Sequence, residues 1–228
     1  MAKPKPEEEE EEEEEDEVKE DKKPAKKEAP APPAAPAAEP PVCEPAPLGL
    51  LGLAVAALVL MSADLGVTAA KPALMLPWTL FLGATAQLIA GFMDFQRKNI
   101  FGATVFTGFA LLWYGITLTW AIELWGGVAM DPKHLTMGFL GYLVFGLYCT
   151  VAAMGTNKVL FIIMVFIDIA VALLVGRAYY PETIEANIIG VTLFFVVAFC
   201  FYASFAVLIN QMAKKTVFPM GAPLIKFG

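Results

Sequence analysis

Long apolar runs separated by short polar connections make up most of this 228-residue chain. Six of the runs are long enough to cross the hydrocarbon core of a bilayer, which takes about 20 residues of α-helix. The connections contain helix-ending sequences such as Arg97-Lys98 and Tyr180-Pro181. The pattern therefore predicts an all-α membrane protein with six transmembrane helices. They lie near residues 48–66, 73–94, 101–124, 136–155, 159–179 and 186–210.

The first 43 residues differ in composition from the rest of the chain. They hold seven lysines and fifteen acidic residues, with an unbroken glutamate run at Glu7–Glu15. Like charges repel, and such a sequence buries too little apolar surface to offset the entropy lost on ordering. We expect a disordered acidic and Pro/Ala-rich tail at 1–43, a membrane domain at 44–221 and a C-terminal tail at 222–228. The formal net charge of −7 then describes the N-terminal tail.

Basic residues flank the predicted helices unevenly. Cytoplasmic connections are usually enriched in Lys and Arg. With a cytoplasmic N-terminus, six basic residues lie on the inner side and three on the outer side. The inner ones are Arg97, Lys98, Lys158, Lys214, Lys215 and Lys226, and the outer ones are Lys71, Lys133 and Arg177. This predicts a multi-pass protein of the cell membrane with both termini in the cytoplasm.

Polar side chains within the apolar runs are candidates for transport, because such groups usually face a cavity or a partner. Gln87 lies in the middle of the second run, and Asn99, Thr104 and Thr107 begin the third. Amide and hydroxyl groups can donate hydrogen bonds to a small carboxylate, and a helix N-terminus adds free amide groups. Hydrogen bonding between helices is the alternative for each of the four.

Asp168 lies near the middle of the fifth run. One interpretation is a possible proton site that couples proton movement to transport, and the other is a carboxyl hydrogen-bonded to a neighbouring helix. Asp64, Asp94 and Glu123 lie close to helix ends, where water or the membrane interface can solvate them, so structural or interfacial roles are favoured there.

The chain shows no arrangement of residues typical of an enzyme. It has one histidine, three cysteines without paired spacing and no Gly-rich phosphate loop. We therefore expect no catalytic residues, no metal, no cofactor and no nucleic-acid partner.

Three ordered segments resemble the acetate uptake transporter family, the succinate–acetate permeases of bacteria and their archaeal and fungal relatives. The first, Pro45–Leu50, reads Pro-Ala-Pro-Leu-Gly-Leu. The second combines a Gly-x-x-x-Gln-x-x-x-Gly stretch at Gly83–Gly91 with Asp94 and Asn99–Thr104. The third is Thr216–Gly221 near the C-terminus.

The resemblance implies six helices around a narrow central path in each protomer, and assembly as a homo-hexamer. It also implies passage of acetate and sometimes succinate, commonly linked to protons. By alignment, the family's apolar constriction falls on Leu53, Phe109 and Ile167, all different in identity from the family's residues. Glu44 replaces a neutral donor at the mouth of the path, which predicts a weaker anion site there.

The sequence thus favours a membrane transporter or channel for small monocarboxylates, acetate first. Two alternatives remain at this point. One is a channel for a small neutral solute such as ammonia or urea, and the other is a membrane sensor or scaffold whose acidic tail recruits a partner.

Overall fold

The computed structural model describes residues 42–227, and this range contains six helices long and apolar enough to cross a membrane. The all-α prediction and the six spans are confirmed. The acidic tail, apart from its last two residues, lies outside the described residues. The helices are α1 (Ala46–Asp64), α2 (Pro72–Gln96), α3 (Ile100–Gly126), α4 (Pro132–Ala153), α5 (Lys158–Tyr179) and α6 (Ala186–Ala213).

Polar side chains at the connections determine where several helices begin. Asn99 accepts a hydrogen bond from the Gly102 amide at the start of α3 (3.3 Å). Asp131 accepts one from the Lys133 amide at 2.9 Å, and Pro132 suits the first position of a helix because it has no N–H to leave unpaired. This cap explains why α4 begins four residues before its apolar run.

Each helix packs against its neighbours in chain order, and α6 packs along α1 to close the ring. The contact between α3 and α4 is the smallest of the six. Ser204 Oγ of α6 donates to the Pro47 carbonyl of α1 at 2.7 Å, which joins helices that are far apart in sequence. Buried apolar side chains from all six helices form one hydrophobic cluster.

Helix α2 departs from regular α geometry in a way that the apolar pattern did not predict. Residues Thr79–Ala86 form a π-helical stretch, directly after Pro77. Proline lacks an N–H, so a carbonyl of the preceding turn loses its usual partner. The Thr79 hydroxyl donates to the Leu76 carbonyl at 3.2 Å in this region. Such stretches are frequent at functional sites.

Two glycines allow the neighbouring helices to approach this irregular stretch. A Cβ at Gly52 of α1 would collide with the backbone carbonyl of Leu82. A Cβ at Gly83 would lie 2.8 Å from the indole ring of Trp113 on α3. Close approach of helix backbones at small residues is the usual way that membrane helices pack. Glycine at 52 and 83 therefore fixes how α1, α2 and α3 come together.

The segment after α6 folds back on the bundle. Asn210 Nδ2 donates to the Phe218 carbonyl at 2.8 Å, and the Leu224 amide donates to the Met154 carbonyl at 2.8 Å. Residues 222–227, the described part of the predicted C-terminal tail, thus pack at the end of α4.

Candidate functional site

Two cavities lie along the axis of the ring, one toward each end. The N-side cavity lies at the end of the ring where α1 begins and α2 ends. The far-side cavity lies at the opposite end of the ring, where α1 ends. Apart from three shared residues, the N-side cavity is lined by Ala46, Leu50, Gln87, Asp94, Asn99, Phe101, Gly102, Val105, Phe106, Leu160, Ile163, Met164 and Val207. The far-side cavity is lined by Ala57, Leu60, Asp64, Leu112, Trp113, Ile116, Phe139, Ala170, Val171, Leu174, Ile189, Leu193 and Val196.

Leu53, Phe109 and Ile167 are the three described residues that line both cavities. They come from alternate helices of the ring, α1, α3 and α5, and have 8%, 2% and 7% of their surface exposed. We call them the shared layer. These are the positions at which the family resemblance put an apolar constriction, and the structure brings their side chains together between the cavities.

Gln87 lies on the N-side cavity, as its position in α2 suggested, with 1% of its surface exposed. Its Nε2 donates to the Gly83 carbonyl one turn earlier at 2.8 Å. Its Oε1 is buried and has no hydrogen-bond partner. A donor of Gln87 is thus engaged within its own helix, and the group left unpartnered is an acceptor, which differs from the expected donor site.

Asn99 and Asp94 also line the N-side cavity. Asn99 Nδ2 donates to Asp94 Oδ1 at 3.1 Å, while Asn99 Oδ1 caps α3. Both polar atoms of the Asn99 side chain are therefore engaged. Asp94 has none of its surface exposed, so the expectation that water or the membrane interface solvates it was wrong. The turn between α2 and α3 covers it.

Arg97 lies in the turn between α2 and α3 and connects Asp94 to the segment before α1. Its Nη2 lies 2.6 Å from Glu44 Oε2, and its Nη1 donates to the Val42 carbonyl at 2.7 Å. Its Nε lies 3.8 Å from Asp94 Oδ1. The negative charge of Glu44 is thus paired, and the expected weakening of an anion site at this mouth is offset by Arg97.

The structure places Thr104 and Thr107 outside both central cavities. Thr104 lines a separate pocket with Ile100 and Tyr148. Thr107 lies against α2, where a Cβ at Gly91 would collide with its hydroxyl. The four predicted donors therefore do not share one surface. Of the four, Gln87 and Asn99 line the same central cavity.

Asp168 faces α4 and lines neither central cavity. Thr150 Oγ1 donates to its Oδ2 at 2.6 Å, and its Oδ1 lies where a Cβ at Gly146 would be. This geometry fits the interpretation of Asp168 as a carboxyl that is hydrogen-bonded to a neighbouring helix. Glu123 is exposed at the end of α3, whereas Asp64 lines the far-side cavity.

Sequence reasoning missed the polar cluster of Glu44, Asp94, Arg97 and Asn99 at the N-side mouth, in which Asp94 is buried. Its members are contributed by the segment before α1 and by the α2–α3 turn, and Glu44 and Arg97 are 53 positions apart. The one available signal was the presence of Glu44 and Arg97 as opposite charges at predicted helix ends on the same side of the membrane.

The chain is similar in sequence to transport proteins of bacteria and yeast. Over 184 residues, 79% of this chain and 96% of the relative, the chain is 27% identical to the succinate-acetate/proton symporter SatP of Escherichia coli (strain K12). It is 34% identical to ammonia transport outward protein 3 of Saccharomyces cerevisiae over 139 residues, 57% of this chain and 50% of the relative.

The fold is also that of a solved protein. The structure of the bacterial acetate channel SatP superposes with a TM-score of 0.71 at 24% identity, covering 79% of this chain and 99% of that one. Residues 27–223 match the sequence model of the GPR1/FUN34/yaaH family. This confirms the resemblance inferred from the sequence and extends the match into the acidic tail. The chain belongs to the GPR1/FUN34/yaaH family.

Proposed function

We propose that this protein is a membrane transporter or channel for small monocarboxylates, most of all acetate. The observation that carries the proposal is the pair of apolar cavities on the axis of the helix ring, separated by Leu53, Phe109 and Ile167. A small, partly apolar molecule fits such a route. The relative described as a succinate-acetate/proton symporter, which aligns over nearly its whole length, supports the same class of substrate.

The polar atoms of the N-side cavity favour movement of the carboxylate together with a proton. Gln87 Oε1 and Asp94 Oδ2 are buried without hydrogen-bond partners, and both are acceptors when Asp94 is ionised. A carboxylate anion offers only acceptors, so it makes no hydrogen bond with either oxygen. An added proton supplies the missing donor. Proton-linked transport therefore agrees with the unpartnered groups of this cavity.

Uptake of labelled acetate into proteoliposomes tests the proposal. The purified full chain should give saturable uptake above protein-free vesicles at pH 5 and at pH 7. Protein-free vesicles are needed at both values because undissociated acetic acid crosses lipid by itself. Uptake equal to that of protein-free vesicles at both pH values would exclude acetate transport.

A channel for ammonia is the second candidate. It is supported by the yeast relative described as an ammonia transport outward protein and by the same two unpartnered acceptors, which could receive N–H groups. Competition decides between the two substrates. With the pH clamped on both sides of the membrane, excess ammonium should leave protein-dependent acetate uptake unchanged if acetate is the substrate, whereas excess unlabelled acetate should reduce it.

We also propose that both termini lie in the cytoplasm. The six inner basic residues cluster at the N-side end of the bundle, where α1 begins and α6 ends. Cys43 at this end is exposed, while Cys149 and Cys200 are buried. A membrane-impermeant maleimide should therefore label the protein in inside-out vesicles and spare it in right-side-out vesicles. The reverse result would invert the orientation.

Assembly as a homo-hexamer is proposed from the family resemblance. Helix α4 has the smallest buried share of the six spans, 17% against 28% or more for the others. Gly138 and Gly141 on α4 have open space where a Cβ would be, so a helix of another copy can approach closely there. Light scattering in detergent should give the mass of six copies, and a monomer mass would contradict the proposal.

A further inference from the structure

The carboxyl group of Asp94 is buried at the side of the N-side cavity, and one of its two oxygens is unused. Asp94 Oδ1 accepts from Asn99, and Oδ2 has no hydrogen-bond partner. Oδ2 lies against the backbone of Gly102, at the place where a Cβ would be. A buried polar atom without a partner is costly and calls for an explanation.

Few charged groups face this carboxyl. Arg97 is the nearby cation: its two Nη atoms are held by Glu44 and by the Val42 carbonyl, and its Nε lies 3.8 Å from Asp94 Oδ1. The surfaces that α1, α5 and α6 contribute to the cavity are apolar, and α3 contributes apolar side chains and Gly102. An ionised Asp94 is therefore paired with Arg97 only at 3.8 Å through Oδ1, and its Oδ2 stays without a partner beside the cavity.

The other intramembrane carboxyls are placed differently. Asp168 lies outside both central cavities, and its Oδ2 is held by Thr150. Asp64 lines the far-side cavity at the last residue of α1 and is partly exposed. Among the described residues, Asp94 is thus the fully buried carboxyl that lines a central cavity.

We propose that Asp94 is the group of the central cavities that takes up the proton accompanying the carboxylate. The proton adds to Oδ2, so an O–H bond forms and the side chain becomes neutral. This O–H then donates to a carboxylate oxygen of the substrate in the N-side cavity. On release the O–H bond breaks, the proton passes to water, and the ionised side chain repels another anion. The inference rests on the proposed proton-linked transport and adds the residue that carries the proton.

The test compares the parent with Asp94→Asn and with Asp168→Asn as the matched control. Both variants keep the shape of the side chain and remove its ability to ionise. In proteoliposomes, the initial rate of labelled acetate uptake above protein-free vesicles is measured with and without an inward proton gradient of one pH unit. We expect the gradient to raise the rate for the parent and for Asp168→Asn. For Asp94→Asn the two rates should become equal.

The outcomes separate the inference from the proposed function. A parent without uptake overturns the proposed function and the inference with it. A parent with uptake but without a gradient effect overturns the proton link and the inference with it, while acetate transport stands. An Asp94→Asn variant that keeps the gradient effect overturns the inference alone. A gradient effect lost in Asp168→Asn and kept in Asp94→Asn would assign the proton to Asp168 instead.

A second measurement uses only the parent protein, in case Asp94→Asn does not fold. A hydrophobic carbodiimide reacts with protonated carboxyls in apolar surroundings, and mass spectrometry locates the product. We expect modification of Asp94 that declines from pH 5 to pH 8, with loss of the gradient effect in proportion. Absence of modification at Asp94, or a gradient effect that survives its complete modification, would overturn the inference.

Discussion

The ring of Phe109 belongs to the shared layer and packs edge-on against Phe145 of α4, with centroids 5.4 Å apart. Replacing Phe109 with alanine should leave a gap between the two cavities and raise the rate for succinate relative to acetate. The Phe→Ala change also costs about 3–5 kcal/mol of stability in a well-packed core, so folding is checked first. The measurement is the ratio of succinate to acetate uptake.

Leu111→Ala is the matched control for Phe109→Ala. Leu111 lies on the same helix, but more than half of its surface is exposed. Its removal should leave the succinate-to-acetate ratio of the parent unchanged. A folded Phe109→Ala protein with the parent's ratio would show that the shared layer does not select by size.

Gln87 presents an unpartnered acceptor to the N-side cavity, which predicts a direct contact with the substrate once the proton shared with Asp94 has passed to the carboxylate. A hydrogen bond between neutral groups is worth about 0.5–1.5 kcal/mol, so Gln87→Leu should raise the half-saturation concentration for acetate about two- to tenfold. Gln96→Leu changes the same residue type at an exposed position of α2 and should have no effect. Unchanged half-saturation in Gln87→Leu would assign Gln87 to packing.

The sequence located Gln87, Asn99 and the shared layer, but not how their polar atoms are used. The direction of the Gln87 amide depends on the Gly83 carbonyl within the π-helical stretch. The burial of Asp94 depends on a turn held by an ion pair between residues far apart in sequence. Both are consequences of tertiary structure, which periodicity does not contain.

At the scale of the helices, prediction succeeded because continuous apolar runs are a strong signal in a membrane protein. The starts of α3 and α5 fell within one residue of prediction, since polar caps coincide with the ends of the apolar runs. The π-helical stretch of α2 was not predicted, because its apolar composition is that of an ordinary transmembrane helix. Its conformation depends on Pro77 and on the helices that pack around it.

The packing of α1 against α2 should depend on Gly52. A Cβ there would collide with the backbone carbonyl of Leu82, which cannot move aside like a flexible side chain. Overpacking of this kind typically costs about 1–3 kcal/mol. Gly52→Val should therefore lower the apparent melting temperature in detergent relative to the parent.

Gly115→Val provides the control, because it introduces the same side chain into a helix at a position with open space around it. It reports the effect of valine on helix propensity alone. If Gly52→Val and Gly115→Val melt at the same temperature, the close contact between Gly52 and Leu82 does not contribute to stability.

At the scale of the whole molecule, six helices packed in chain order form a closed ring with its cavities on the axis. Residues 42–227 contain the complete ring, both cavities and the Val42 carbonyl that holds Arg97. Deletion of residues 1–40 should therefore leave acetate uptake per folded molecule unchanged. Loss of uptake by a folded, truncated protein would give the acidic tail a role in transport, and loss of a bound partner would support the scaffold alternative.

If the substrate crosses the shared layer, a bulkier side chain in that layer should block acetate uptake, and Leu53→Trp supplies one. Leu53 is buried in that layer, whereas Leu51 on the same helix has 37% of its surface exposed, so Leu51→Trp is the matched control. With both variants shown to be folded, we predict that Leu53→Trp falls to the level of protein-free vesicles and that Leu51→Trp transports like the parent. A folded Leu53→Trp protein that takes up acetate at the parent's rate would contradict the account.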